Sequence, residues 1–155
     1  SELVGVNFNQ AFKPLTREEI HSMGMIMFDE VQGLLDSGKK TEEIFEHVGV
    51  FENGFAIVLL NGKWNFIDSN RQLVSNQWFD IVRHFDNGFA IVGLNDKYNY
   101  IGKNGQLVSN QWFDSLHDFD DGFAQVLLID SNYFNYIDTK GNLYDINKKL
   151  IIILK

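Results

Sequence analysis

The sequence predicts a mainly β fold: an array of about three β-hairpin or three-strand repeats of 34-residue period behind an N-terminal α-helical cap, α+β when the cap is counted. Three observations carry this. Asn53-Gly54-Phe55-Ala56-Ile57-Val58 returns unchanged at residues 87–92, and Gln72-Leu73-Val74-Ser75-Asn76-Gln77-Trp78-Phe79-Asp80 returns unchanged at residues 106–114, both 34 residues on. A fixed period of this size marks a repeat architecture. Inside each unit the apolar residues alternate or run short between Gly and Asn turn signals, which separates β units from helical repeats of the same length. Only one long stretch, following Thr16, keeps helical spacing.

In chain order, Val4, Val6 and Phe8 alternate as a short strand would. Thr16 with Glu19 forms a capping box, and Leu15 with Ile20 its hydrophobic staple. Ile20, Met23, Met27, Val31, Leu34 and Leu35 then mark one helical face, and Gly38 with Lys39 and Lys40 supplies the stop. The Met23/Met25/Met27 cluster suits core packing better than an adaptable binding surface. This helix caps the open end of the array, as solenoid-like stacks require. Thr41–His47 reads two ways: a second helix with Thr41 as N-cap, or a degenerate first repeat edge, because Ile44-Phe45-Glu46 matches Trp78-Phe79-Asp80.

Each repeat opens with a strand, at 55–60, 89–94 and 123–128. Ala56/Val58/Leu60, Ala90/Val92/Leu94 and Ala124/Val126/Leu128 hold one face constant, so that face is the buried one. The other face drifts: Ile57 and Ile91 become Gln125, and Leu59 becomes Gly93. Gly54, Gly88 and Gly122 stand at the turn before this strand, and Asn61-Gly62 and Asn95-Asp96 offer two-residue hairpin turns after it. The third copy is two residues longer, around 130–132. The return strand carries aromatics at its first and third places: Trp64, Tyr98 and Phe134 form one row. Gly105 and Gly141 mark a second turn where the first copy has Arg71, and Leu73-Val74 and Leu107-Val108 begin a third strand. Trp78 and Trp112 form another row. Lys149–Lys155 is a β-branched run bracketed by lysines, read as a closing strand or as one donated to a partner. The expected organisation is a helical cap at 1–43, the array at 44–145 and the closing strand at 146–155.

Bulk properties narrow the function classes. At 155 residues, 45% apolar and 14% aromatic, the chain can bury one continuous core. A formal charge of −8, from 13 basic and 21 acidic residues, opposes direct nucleic-acid binding. No Cys is present, which removes disulfides and thiolate chemistry. The longest apolar runs are too short to span a bilayer. No signal peptide is visible, so the expected location is cytoplasmic, although a start at Ser1 rather than Met leaves a removed signal open.

The aromatic-Asn-aromatic-Ile-Asp segment, with Gly-Phe-Ala upstream and Gly downstream, resembles the WG repeat (KWG-type) family, whose core reads Trp-Gly-(Tyr/Phe)-Ile-Asp/Asn-x-x-Gly. The resemblance covers roughly 44–145, with the motif three times at one spacing. It implies β-hairpin-like units of the kind found in bacterial and phage-associated proteins, an interaction or ligand-binding module, and no single catalytic activity. One departure stands out. The family Gly is Asn65, Asn99 and Asn135 here. Asn tolerates the left-handed region best after Gly, so a positive φ or a bulge is expected at these three positions, the alternative being an exposed strand Asn.

No catalytic set emerges. His21, His47, His84 and His117 occupy no equivalent positions and no metal-ligand spacing. Asp118, Asp120 and Asp121 lack the rest of a calcium loop. Asp68, Asp80, Asp114 and Asp138 recur with the repeat, which fits turn capping rather than a glycosidase pair. The expectation is therefore a non-enzyme with no cofactor and no metal. Its anchors would be Trp64, Trp78, Trp112, Tyr98 and Phe134, and its partner a protein or a second copy of the chain. Two rivals are a glycan stacked on an aromatic ladder and an acidic inhibitor of a basic or nucleic-acid-binding target. Buried aromatic rows would instead be inter-repeat core.

Overall fold

The computed structural model describes residues 17–151, with side chains from Met27 onward. The expected Val4/Val6/Phe8 strand, the capping box and staple around Thr16, the Met23 and Met25 side chains, and residues 152–155 of the closing run lie outside the described residues.

Helix α1 (Arg17–Asp36) ends as Gly38 predicts. Gly38 takes φ +87, its N–H donates to Leu35 O (3.1 Å), and the Lys39 N–H donates to Leu34 O (3.3 Å). This is the paired-bond left-handed stop that a residue without Cβ favours. Val31 and Leu35 are buried, but Leu34 stays 40% exposed, off the face expected to hold it. One turn of helix, α2 (Thr41–Ile44), follows. Its N-cap is Lys40, not Thr41, whose Oγ1 donates to Glu42 instead. The repeat reading takes over immediately: the Glu46 and Gly49 N–H groups donate to Leu59 O and Ile57 O.

Among the described residues, ten strands make three antiparallel sheets. The first holds β1 (His47–Val48), β2 (Phe55–Leu60) and β3 (Lys63–Asp68); the second, β4 (Ile81–Val82), β5 (Phe89–Leu94) and β6 (Lys97–Gly102). The third holds β7 (Ser115–Leu116), β8 (Phe123–Leu127), β9 (Phe134–Asp138) and β10 (Leu143–Tyr144). The third strand of the first two sheets is the short one preceding the hairpin. Leu73 and Leu107, expected to begin it, make only isolated bridges to Ile67 and Ile101. Both turns of each hairpin are local chemistry. Asn53 and Gly54 lie at φ 54 and 89, and Asn61 and Gly62 at 52 and 77, the double left-handed pair of a type I′ turn that matches strand twist. Asn87-Gly88, Asp121-Gly122 and Asn95-Asp96 repeat it.

Register then gives every hairpin two unlike faces. Ala56 pairs with Ile67 and Val58 with Asn65, so these share a back face; Phe55 with Asp68, Ile57 with Phe66 and Leu59 with Trp64 share the front. The back face of the first hairpin packs under Val31 and Leu35 of α1. Its front face, with Phe55 and Phe66, packs on Ala90, Val92 and Ile101 of the second unit. Tyr100 and Ile91 likewise meet Ala124, Val126 and Ile137. Front-to-back stacking thus buries the constant Ala and Val positions completely, each Val contributing about 1.5–3 kcal/mol.

The second turn sets how closely the units approach. Gly105 at φ +80 sits where a Cβ would lie 1.8 Å from Val74 O of the preceding unit, and Gly141 repeats this at 2.2 Å from Val108 O. The first copy has no preceding unit, and there Arg71 fills the position at φ 63. Its guanidinium donates to Leu35 O, which also accepts from the Gly38 N–H, and to Lys39 O just past the end of α1. Gln32 of α1 completes the joint, its Oε1 accepting from the Leu73 N–H and its Nε2 donating to Arg71 O. The helix therefore replaces a preceding repeat both in apolar packing and in hydrogen bonding.

Candidate functional site

Asn65, Asn99 and Asn135, the substitutes for the family glycine, carry neither a positive φ nor a bulge. Each sits within a regular strand pair, opposite Val58, Val92 and Val126, and each is buried. The reason lies on the other edge of the return strand. Trp64 pairs with Phe79 and Ile67 with Leu73, and between them the chain loops away. Asn65 fills the gap with its amide: Oδ1 accepts from the Phe66 N–H (2.7 Å), and Nδ2 donates to Ser75 O (2.8 Å). Asn99 does the same for Tyr100 and Ser109, and Asn135 Nδ2 donates to Tyr144 O (3.1 Å). The side chain thus supplies the bonds a missing strand would have made, which a buried backbone requires. Gly54, Gly88, Gly122, Gly105 and Gly141 all lie at positive φ, in turns.

The recurring acids are turn caps as well. Glu46 accepts from the Asn61 N–H, Asp80 from Asn95 and Asp114 from Asp130, each gripping the next hairpin turn. Asp80 also pairs with Lys63, and Asp114 with Lys97 at 2.8 Å. The lysine bond first, then the backbone N–H, holds each carboxyl below the usual range. In Asp138 burial pushes the carboxyl up, but bonds from Asn142 and Tyr144 outweigh it and leave a net lowering. No two of these acids converge on one cavity.

Along one side of the stack, two depressions recur at the same repeat positions. The first, of about 620 Å³, is lined by His47, Gly49, Ile57, Trp64, Asp80 and His84. The second, of about 350 Å³, is lined by Arg83, Ile91, Tyr98, Asp114, Ser115 and Leu116. Ile81, 44% exposed, borders both. Trp64 is half-buried, edge-on to His47 with ring centres 6.1 Å apart. Tyr98 lies against Gly93, where a Cβ would come within 3.1 Å of its ring. The position opposite Tyr98 is thus Gly93, and the one opposite Trp64 is Leu59. Phe134, beside His117 at 5.3 Å, continues the row. Glu52 and His84 pair across the rim at 2.9 Å, beside the exposed Val50 and Phe51.

The second row differs. Trp78 is buried between α1 and the first hairpin, its Nε1 without a partner among the described residues. Trp112 is half-buried against the joint of the first and second units. Trp64 and Tyr98 of the first row therefore border open depressions. Val50 and Ile81 beside them were not singled out by the sequence pattern, because exposure of an apolar residue is decided by its neighbours in space. Among the described residues, no three His, Cys, Asp or Glu side chains gather as a metal site would require, and no helix is long and apolar enough to cross a membrane.

A family model described as "WG containing repeat" matches residues 44–64 and 66–98, within the first two units. No curated protein matches the chain. A crystal structure of a protein of unknown function from Bacteroides caccae is 14% identical over 63% of this chain, with a TM-score of 0.32, a likeness on which no argument rests. The aligned part spans 43% of that protein's length.

Proposed function

We propose that this stack of WG repeats is a non-enzymatic protein–protein interaction module whose contact face is the side carrying Trp64, Tyr98 and Phe134. The observation behind this reading is the recurrence of one open, aromatic-walled depression at successive units, with the exposed Val50 and Ile81 among its lining residues. Half-buried aromatics of this kind give large contact area at low entropic cost. The recurring acids are taken up in turn caps and lysine pairs, which fits a binding role. The expected partner is a protein or a second copy of the chain, and the expected setting is cytoplasmic.

Quantitative crosslinking with wild type and the variants Trp64→Ala and Ile81→Glu tests this. A complex formed by wild type and lost in both variants, with unchanged melting curves, supports the reading. Absence of any complex or oligomer overturns it, and so does a complex indifferent to both changes. Carbohydrate stacked on the same row is the second reading, favoured by the half-exposed rings of Trp64 and Tyr98. Binding of oligosaccharide that quenches Trp64 fluorescence, with no protein complex, would replace the first reading with the second.

A further inference from the structure

Each internal joint of the array is locked by one phenyl ring. Phe85 of the second unit inserts between Phe55 and Phe66 of the first, with ring centres 4.1 and 4.9 Å away. Phe119 of the third unit inserts between Phe89 and Tyr100 of the second, at 4.7 Å from both. The third unit builds the same socket from Phe123 and Tyr136, and among the described residues no ring enters it. The Lys148 ammonium stands there instead, 4.9 Å from the centre of Phe123 and 5.1 Å from that of Tyr136. A cation occupies the place of the plug.

The surroundings suit a cation. Phe123 and Tyr136 meet at 82°, and Tyr144 adds a further wall, 5.2 Å from Phe123 and at 81° to it. Asp138 is the cross-strand partner of Phe123, on the same face, and its carboxylate accepts from the Tyr144 hydroxyl at 2.8 Å. Gln125 takes the central place that Ile57 and Ile91 hold in the other units, and its amide bonds to the Tyr136 hydroxyl at 3.3 Å. The face is thus less apolar than the ones that receive a phenyl ring. Lys148 itself is exposed and held only by this contact and by its turn.

We propose that the Phe123–Tyr136–Tyr144 socket is a binding site for an organic ammonium group, above all a quaternary one such as a trimethylated lysine or choline, with Lys148 as a resident ion that the ligand displaces. Ring faces attract cations electrostatically, and a methylated ammonium is drawn by the same field while surrendering less hydration than a primary one. Lys148 lowers the apparent affinity by the fraction of time it fills the socket. The site is distinct from the Trp64 row, so the two readings stand or fall separately.

Calorimetry and NMR titration of the full chain with tetramethylammonium, choline and N-acetyl-trimethyllysine test this, with the neutral neopentyl analogue of choline as control. Lys148→Ala should bind about tenfold more tightly than wild type, and Lys148→Ala/Tyr136→Leu should lose that gain while melting cooperatively. Shifts should centre on the ring protons of Phe123, Tyr136 and Tyr144. Failure of Lys148→Ala to bind any of the three cations overturns the proposal. Equal binding of the neutral analogue overturns it as well, since an apolar pocket would then be enough.

Discussion

Substituting Ala for Gly105 isolates the close approach between units. Two costs add. At φ +80 any L residue loses about 1–2 kcal/mol. The new methyl would also lie 1.8 Å from Val74 O, where real side chains keep at least 3.0 Å, so the backbones must part by 3.0 − 1.8, about 1.2 Å. Val74 O is main chain and cannot rotate aside. Parting it loosens the joint that buries Phe66, Phe79, Phe85, Val92 and Ile101, an overpacking cost of about 1–3 kcal/mol or more. Gly122 supplies the control: φ +81, but nothing within 4 Å of its Cβ position. Gly122→Ala should therefore cost about 1–2 kcal/mol and Gly105→Ala about 2–5 kcal/mol, or roughly 4–20 °C in Tm. Thermal and urea unfolding followed by far-UV circular dichroism would measure both. Equal losses would refute the idea that turn contacts fix the separation of the units.

Three further outcomes are expected. Asn99→Ala strands the Tyr100 N–H and the Ser109 carbonyl inside the fold, costing about 3 kcal/mol; Asn135→Ala, which breaks the single bond to Tyr144 O, should cost less in the same urea titration. Asp80, Asp114 and Asp138 have lowered folded-state values, so their stabilisation is complete above the unfolded range near pH 4 and disappears as pH falls through the folded ones. Tm should hold from about pH 8 to 5 and then drop, and Asp80→Asn/Asp114→Asn should flatten that drop; an undiminished acid slope would discount these pairs. Iodide should quench Trp64 and spare Trp78, so Trp64→Phe removes much of the quenchable emission while Trp78→Phe leaves it.

The period and the hairpins were legible because their causes are local. Asn53-Gly54 and Asn61-Gly62 dictate turn type from two residues each, and the Ala-Val face follows from alternation alone. Asn65 and its equivalents misled for a non-local reason. Their type suggests left-handed backbone, whereas their amides serve a gap created by residues 75–78 turning away, which spacing does not reveal. Arg71 was visible as a departure from Gly105 and Gly141, but its meaning required seeing that α1 stands where a preceding unit would. Trp78 and Trp112 are identical in sequence context yet unequal in surroundings, since one lies under the helix and the other in a joint between sheets.

Because each hairpin presents one face to its predecessor and a different one to its successor, the stack has a direction, like a column of identical cups with a base and a lid. The base is α1, fitted to the first unit through Gln32 and Arg71; the lid is the third unit, with Gln125 and Lys148. An in-frame duplication of one 34-residue segment in the middle would lengthen the column without baring a new end face, because both specialised ends would keep the units that they fit. The same insertion at either terminus would separate an end piece from the unit that it fits. Lineages derived from this chain should therefore vary in length by whole internal units.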